Sequence, residues 1–289
     1  MISTMRGFLA CVVMTSCGLF PSLDDLTQKS DAGADVSTKD ASSDGGADAS
    51  TDAVTNDVAN DVTTTDGGCP GTGGPTQVPI SGFCVDSTEV TNAQYKQFIA
   101  SSFGSTGLAE CSWNTSYTPT SAWPPATGTD DYPVAYVNWC DAYAFCKWAG
   151  KRLCGRVGGG PISPTSVANA SLDQWYAACS HEADGQHFYP YSNTFSPSAC
   201  NGPEHDAGAT LPVGFLKTCT GGYATIVDMV GNVYEWEDGC NSTNGASDSC
   251  LQRSGSFTDP PGVQQACGYS RTAARDFADN DVGFRCCSP

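Results

Sequence analysis

Sixteen cysteines constrain the fold of this 289-residue chain more than any other feature. So many thiols point to an oxidising compartment and to a fold stapled by disulfides. Zinc is the competing use of cysteine. The only tight pair is Cys286-Cys287, and no C-x-x-C occurs anywhere, which argues against structural zinc. Glycine and proline, 32 and 17 residues, are frequent, while only 15 % of residues are charged. The folded part should therefore be turn-rich, not a helical bundle or coiled coil. The length suits one or two domains with one sizeable core. Thirteen basic against 31 acidic residues give a net charge of −18. That balance excludes a nucleic-acid binder that grips phosphate, because nothing would neutralise a polyanion.

The N-terminus reads as an address. Arg6 is the only charged side chain before residue 24, and it precedes the apolar run Phe8 to Met14. Small residues Thr15 and Ser16 follow, then Cys17. Residues 1–17 thus form a secretory signal too short to span a bilayer as a mature helix. Its end resembles a bacterial lipobox, so Cys17 is expected as the lipidated N-terminus; plain cleavage nearby is the other reading. The expected location is the bacterial cell envelope or surface, held to outer-membrane or cell-surface lipid. Residues 18–68 are nearly all Asp, Ala, Ser, Thr, Val and Gly, with 11 Asp, no Glu and two Lys. Such a segment cannot bury enough apolar surface to offset ordering, and reads as a disordered acidic linker. Its Asp spacing is irregular and lacks the glycine turns of a calcium loop. Removing Cys11 and Cys17 leaves fourteen cysteines for residues 69–289, an even number, as full pairing requires.

Capping chemistry places three short helices in that domain. Thr91 with Gln94 opens one, with Tyr95, Phe98 and Ile99 as its apolar stripe. Asn138 with Asp141 opens the second, striped by Trp139, Ala142, Tyr143 and Cys146, with Gly150 at the C-terminal cap. Ser171 with Gln174 starts the third, with Leu172, Trp175 and Cys179 on one face. Strand candidates are Val78 to Asp86, Leu211 to Phe215, Gln252 to Phe257 and Val282 to Cys286. Loops make up the rest, and loops this long stay ordered only if bridges or bound ions hold them.

Eight motifs follow one another along the domain. They are Phe83-Cys-Val-Asp-Ser-Thr-Glu-Val-Thr-Asn-Ala-Gln-Tyr95, Tyr132-Pro-Val134 with Asn138-Trp139, Ala144-Phe-Cys-Lys-Trp-Ala-Gly-Lys-Arg-Leu153, Tyr189-Pro-Tyr191, Asp228-Met-Val-Gly-Asn-Val-Tyr-Glu-Trp236, Arg253-Ser-Gly-Ser-Phe257, Ala273-Ala-Arg275 and Gly283-Phe-Arg-Cys286. In this order and spacing the set resembles the formylglycine-generating enzyme family, the sulfatase-modifying-factor domain, over about residues 77–287. The resemblance implies a loop-rich, disulfide-rich α+β fold distantly related to C-type lectins. It also implies a bridge between Cys146 and Cys286. Cys179 matches a second family cysteine whose usual partner falls at Thr272, so Cys179 must bond elsewhere. The glycine- and proline-rich stretch from Cys154 to Ala170 looks like an added loop fixed by Cys154.

The same resemblance implies two metals. A family calcium loop would use the Asp228 and Glu235 side chains with the Gly231 and Val233 carbonyls; a second site would involve Asn201 and Asp206. Oxygen donors of this kind suit calcium; the other reading is a hairpin in which Glu235 caps backbone amides. Copper is the family's catalytic ion, held by two cysteines five positions apart, since Cu(I) prefers thiolates. Cys267, eight residues before Arg275, matches the second of them. The first falls at Gly262, which has no sulfur, so copper is doubtful and Cys267 in a disulfide is the competing reading. Ser256 and Arg275 match family positions near the active site. The sulfoxide synthases that share this domain use iron held by three histidines, but His181, His187 and His205 show no paired spacing. Trp113, Tyr117, Trp123 and Tyr132 cluster in a proline-rich segment; they line a ligand groove, as in lectin-like sites, or pack beneath loops. Two functions follow. One is a non-catalytic, surface-anchored binding or structural module with a protein or glycan ligand. The other is an active oxidase, or another redox enzyme on the fold, acting on exported sulfatases.

Overall fold

A computed structural model describes residues 68–289 apart from 81, 181–186, 206 and 260–261. The signal peptide, Cys17 and the linker through residue 67 lie outside the described residues.

Local chemistry sets the element boundaries. The spacing predicts one strand from Val78 to Asp86; the chain instead forms a hairpin, β1 (Gln77–Ile80) antiparallel to β2 (Phe83–Asp86). Gly82, at φ +85°, breaks the extension. Helix α1 (Asn92–Ala100) opens as expected: Gln94 N–H donates to Thr91 Oγ1, and Thr91 N–H donates to Gln94 Oε1. Helix α2 (Trp139–Trp148) has the reciprocal pair Asn138 and Asp141, and Gly150 follows it at φ +72°. Strand β3 (Arg152–Leu153) is short. Helix α3 (Gln174–Ser180) starts later than the Ser171 signal, because Asp173 Oδ1 accepts the Tyr176 N–H at 2.9 Å and caps the helix itself. Leu172 is left outside the helix and exposed.

Residues 211–215 form no strand. They turn at Gly214, φ +68°, and the Val213 N–H is spent on the Asp131 carbonyl. Strand β4 (Tyr234–Cys240) pairs with β5 (Ser249–Arg253), which ends where Ser254 takes φ +64° and so stops short of Phe257. Strand β6 (Ser270–Ala274) pairs with β5. The expected strand from Val282 to Cys286 divides into β7 (Val282–Phe284) and β8 (Cys286–Ser288). These belong to different sheets, ordered β1-β2-β8-β3 and β6-β5-β4-β7, with β7 parallel to β4. Arg285 is the single residue at the crossing.

Successive strand residues point to opposite faces, and β8 uses this. Cys286 bridges Cys146 of α2, while Cys287 bridges Cys154 just after β3. The two bridges enter the two apolar clusters of the core. One is built on Tyr95, Phe98, Phe145, Trp236 and Phe284, the other on Trp175, Ile226, Met229 and Val230. Seven disulfides pair all fourteen described cysteines.

Burial of acidic caps gives the domain an unusual pH response. Asp141 is wholly buried and accepts from Asn114 and Asn138. Burial still pushes its carboxyl up to about 7. The native state therefore holds a proton that the unfolded chain releases near the ordinary carboxylate pKa. Stability is greatest below that value and falls as pH rises to about 7. Lowering the pH from 7.5 to 5.5 should add about 2 kcal/mol, roughly 4–8 °C in Tm, from this group. Calorimetry across that range checks it, and Asp141→Asn should flatten the slope.

Candidate functional site

The sulfur that would carry copper chemistry is not a thiolate. Cys267 is bridged to Cys179, and both are fully buried. That answers the missing partner at Thr272, which lies in β6 opposite Leu251. Gly262, at φ +90°, holds the other position of the pair with no donor atom. The residues present therefore do not fit copper, and the reading of Cys267 as a catalytic ligand is corrected.

Ser256 and Arg275 serve separate structures. Ser256 Oγ donates to Asp259 Oδ2 at 2.7 Å and lies 3.3 Å from Asp281 Oδ2. Asp259 also accepts from the Ser256 N–H and the Tyr234 hydroxyl. Burial, then the Asp259 carboxylate, push the Tyr234 phenol up, so it stays a donor. The Arg271 guanidinium lies 3.4 Å over the Tyr234 ring. Arg275 instead donates to Asp248 Oδ2 (3.2 Å) and the Ser242 and Gly245 carbonyls, with its guanidinium 4.4 Å over Trp139. It braces the β4–β5 connection. Among the described residues, Ser256, Arg275 and Cys267 share no hydrogen-bond partner.

The expected calcium residues surround a cation that the chain supplies itself. Both Glu235 oxygens accept from Arg285, at 2.7–3.0 Å, and Glu235 Oε2 also accepts from Trp175 Nε1 at 2.7 Å. Arg285 donates further to the Asp86, Val227 and Asp228 carbonyls. The Asp228 carboxylate accepts from the Gly214 N–H, and burial raises it to about 6. Glu89 accepts from Asn232. Burial, then Asp228 and Glu235, push its carboxyl well up. Gly231 is needed for packing: its φ is +76°, and a Cβ there would stand 2.6 Å from the Asn201 carbonyl oxygen. Val233, the residue before β4, is buried. Asn201 donates to Ala209 and Asn232 and accepts the Asn232 N–H; Asp206 lies outside the described residues. A divalent cation at Glu235 would face the guanidinium at contact distance. As arranged, this set does not fit calcium, and Glu235 caps a side chain rather than backbone amides.

Arg285 and Glu89 are the residues that sequence reasoning passed over. For Arg285 a signal was present: an arginine in Val-Gly-Phe-Arg-Cys-Cys stands in an otherwise apolar run, where a charge survives only if paired; Glu89, set among Ser87, Thr88 and Thr91, gave none.

The aromatic segment divides between both of its readings. Trp113 and Tyr117 pack on the core, with Trp113 Nε1 donating to the Glu110 carbonyl and Tyr117 5.4 Å from Phe98. Trp123, which also packs on Tyr95, and Tyr132 line a cavity of about 320 Å³, together with residues 208–210, Phe257 and Asn280.

Comparison with known proteins follows the same outline. Residues 47–288 match the model of the sulfatase-modifying factor enzyme 1-like domain. The formylglycine-generating enzyme of Bos taurus is 24 % identical over 271 residues, which cover 73 % of this chain and 66 % of that protein. The inactive C-alpha-formylglycine-generating enzyme 2 of Bos taurus is 30 % identical over 179 residues, covering 55 % of this chain and 50 % of that protein. The chain thus spans half to two thirds of the length of these relatives. The crystal structure of CarF superposes with a TM-score of 0.48 at 23 % identity, over 72 % of this chain and 86 % of that one. The chain belongs to the formylglycine-generating enzyme family, as a member with the sulfatase-modifying factor enzyme 1-like domain.

Proposed function

We propose that this chain is a non-catalytic member of its family, a surface-anchored binding or structural module. One observation carries the reading: Cys267 is consumed by Cys179, and its expected partner position is Gly262. A bridged sulfur has no thiolate to offer Cu(I) or a substrate cysteine. The existence of inactive relatives in the same family is consistent with it. The test is direct. The oxidised full chain, denatured without reductant, should show no free thiol in residues 69–289. Supplied with Cu(I) and oxygen, it should leave a Cys-x-Pro-x-Arg peptide unchanged in mass. Conversion of that cysteine to formylglycine, or a free copper-binding Cys267, would establish the oxidase instead.

The anchor is the second half of the proposal. The short apolar run ending at Cys17, followed by an acidic spacer, suits a lipid attachment that holds the domain away from a surface. Cys17→Ala should release the chain from the membrane fraction; unchanged membrane association would refute the anchor.

A further inference from the structure

We infer that the cavity between the proline-rich loop and residues 208–210 is a binding site for an uncharged saccharide, a ligand class that rests on the reading of the chain as a binding module. The lining carries the argument. The domain has 20 acidic and 10 basic side chains over residues 69–289, yet none of the sixteen residues around this cavity is charged. A site free of charge inside an anionic domain selects against anions by the surrounding field and has nothing to pair with a cation. The same argument excludes the chain's own linker, whose 11 Asp would be brought against an anionic surface.

What the cavity does present are flat rings and amides. Trp123, Tyr132, Tyr136 and Phe257 supply aromatic surface, and Asn92 and Asn280 supply polar side chains. The Trp123 indole N–H and the Tyr132 and Tyr136 hydroxyls make no hydrogen bond among the described residues. Faces of negative quadrupole beside unspent donors and acceptors match a pyranose ring, which has C–H faces and a hydroxyl rim. A peptide is matched less well. No lining residue belongs to a strand, so there is no sheet edge to pair with peptide backbone.

The site is also pre-formed. Trp123 is pinned edge-on to buried Tyr95 at 5.7 Å. The Tyr136 carbonyl accepts from the Thr120 N–H, and the Tyr136 N–H donates to the Asp279 carbonyl, both at 2.9 Å. Two lining residues, Ala122 and Tyr136, hold left-handed backbone at φ +52° and +59°. Such strain in residues with a Cβ persists only where the surroundings impose it, and it concentrates at binding sites. A rigid platform loses little entropy on binding.

Titration calorimetry of the full chain with maltohexaose, cellohexaose and chitohexaose tests this, with a mannuronate hexamer and a proline decapeptide as contrasts. At least one neutral hexamer should bind, and neither contrast should. Trp123→Ala should weaken that binding about tenfold or more. Asn280→Ala, at an exposed position where folding is not at stake, should weaken it at least about threefold. Binding of no neutral hexamer, preference for the anionic glycan or the peptide, or equal binding by both variants overturns the inference. The same preparation is assayed with Cu(I) and the cysteine peptide. Formylglycine there refutes the non-catalytic reading, whereas an inert chain that also ignores the hexamers refutes only the saccharide.

Discussion

Arg285→Met should cost about 4 kcal/mol, a large share of the stability of an ordinary domain. Arg285 is fully buried at the one-residue crossing between the sheets. Its guanidinium satisfies both oxygens of Glu235 and three backbone carbonyls contributed by β2 and by residues 227 and 228. Removing it strands the Glu235 carboxylate beside Asp228 and Glu89, and three carbonyls lose a donor. Arg285→Lys should fail nearly as badly, because one ammonium cannot reproduce the fork. The damage has a signature. Adding Glu235→Gln to Arg285→Met keeps an acceptor for Trp175 Nε1 and removes the stranded charge. It should restore at least about half of the loss, since replacing both members of a buried pair costs far less than breaking it. Denaturant unfolding of the two single variants and the double variant measures all three. A mild loss in Arg285→Met, or no recovery in the double variant, would show that the crossing is held by something else.

The contrast between Arg285 and the helices shows what a sequence makes legible. Helices α1 and α2 were readable because a capping box is complete within four residues, and nothing distant alters it. Helix α3 starts two residues late because Asp173, two positions after Ser171, offers the stronger acceptor; two local signals competed, and only the fold decided. The strands were misjoined where one residue breaks the extension: Gly82 and Ser254 look unremarkable in an alternating pattern, and the charge of Arg285 does not by itself mark a change of sheet. Family membership was legible because eight weak motifs in order multiply their specificity. The pairing of Cys179 with Cys267, across 88 residues, was not, since sulfur positions along a chain say nothing about their meeting in space. The partner of Glu235 was hidden for a related reason. Asp228 and Glu235 have the chemistry of calcium ligands, but the cation that reaches them arrives 50 residues later in the chain as Arg285.

Removing both bridges of β8 should cost about 7 kcal/mol, whereas removing either alone should cost about 3 kcal/mol. Taken separately, Cys146–Cys286 and Cys154–Cys287 close loops of 140 and 133 residues, for which the chain-entropy relation gives about 5 kcal/mol each. They are not separate. While Cys154–Cys287 stands, losing Cys146–Cys286 opens only the small ring that runs from residue 146 to 154 and back through the two adjacent cysteines, about ten residues. Only when both are gone is the C-terminal strand free. Even then Cys179–Cys267 limits the opened ring to roughly 45 residues, worth about 4 kcal/mol. The variants Cys146→Ala/Cys286→Ala, Cys154→Ala/Cys287→Ala and all four together, unfolded in guanidinium under oxidising conditions, test this. A loss near 5 kcal/mol for one pair, or near 10 for both, would mean that the bridges act as independent long-range staples. The nested result would mean that β8 is doubly tied to α2 and β3 as one unit. The strand that follows Arg285 is then held by sulfur on both faces, so the bridges fix the backbone next to the buried ion pair.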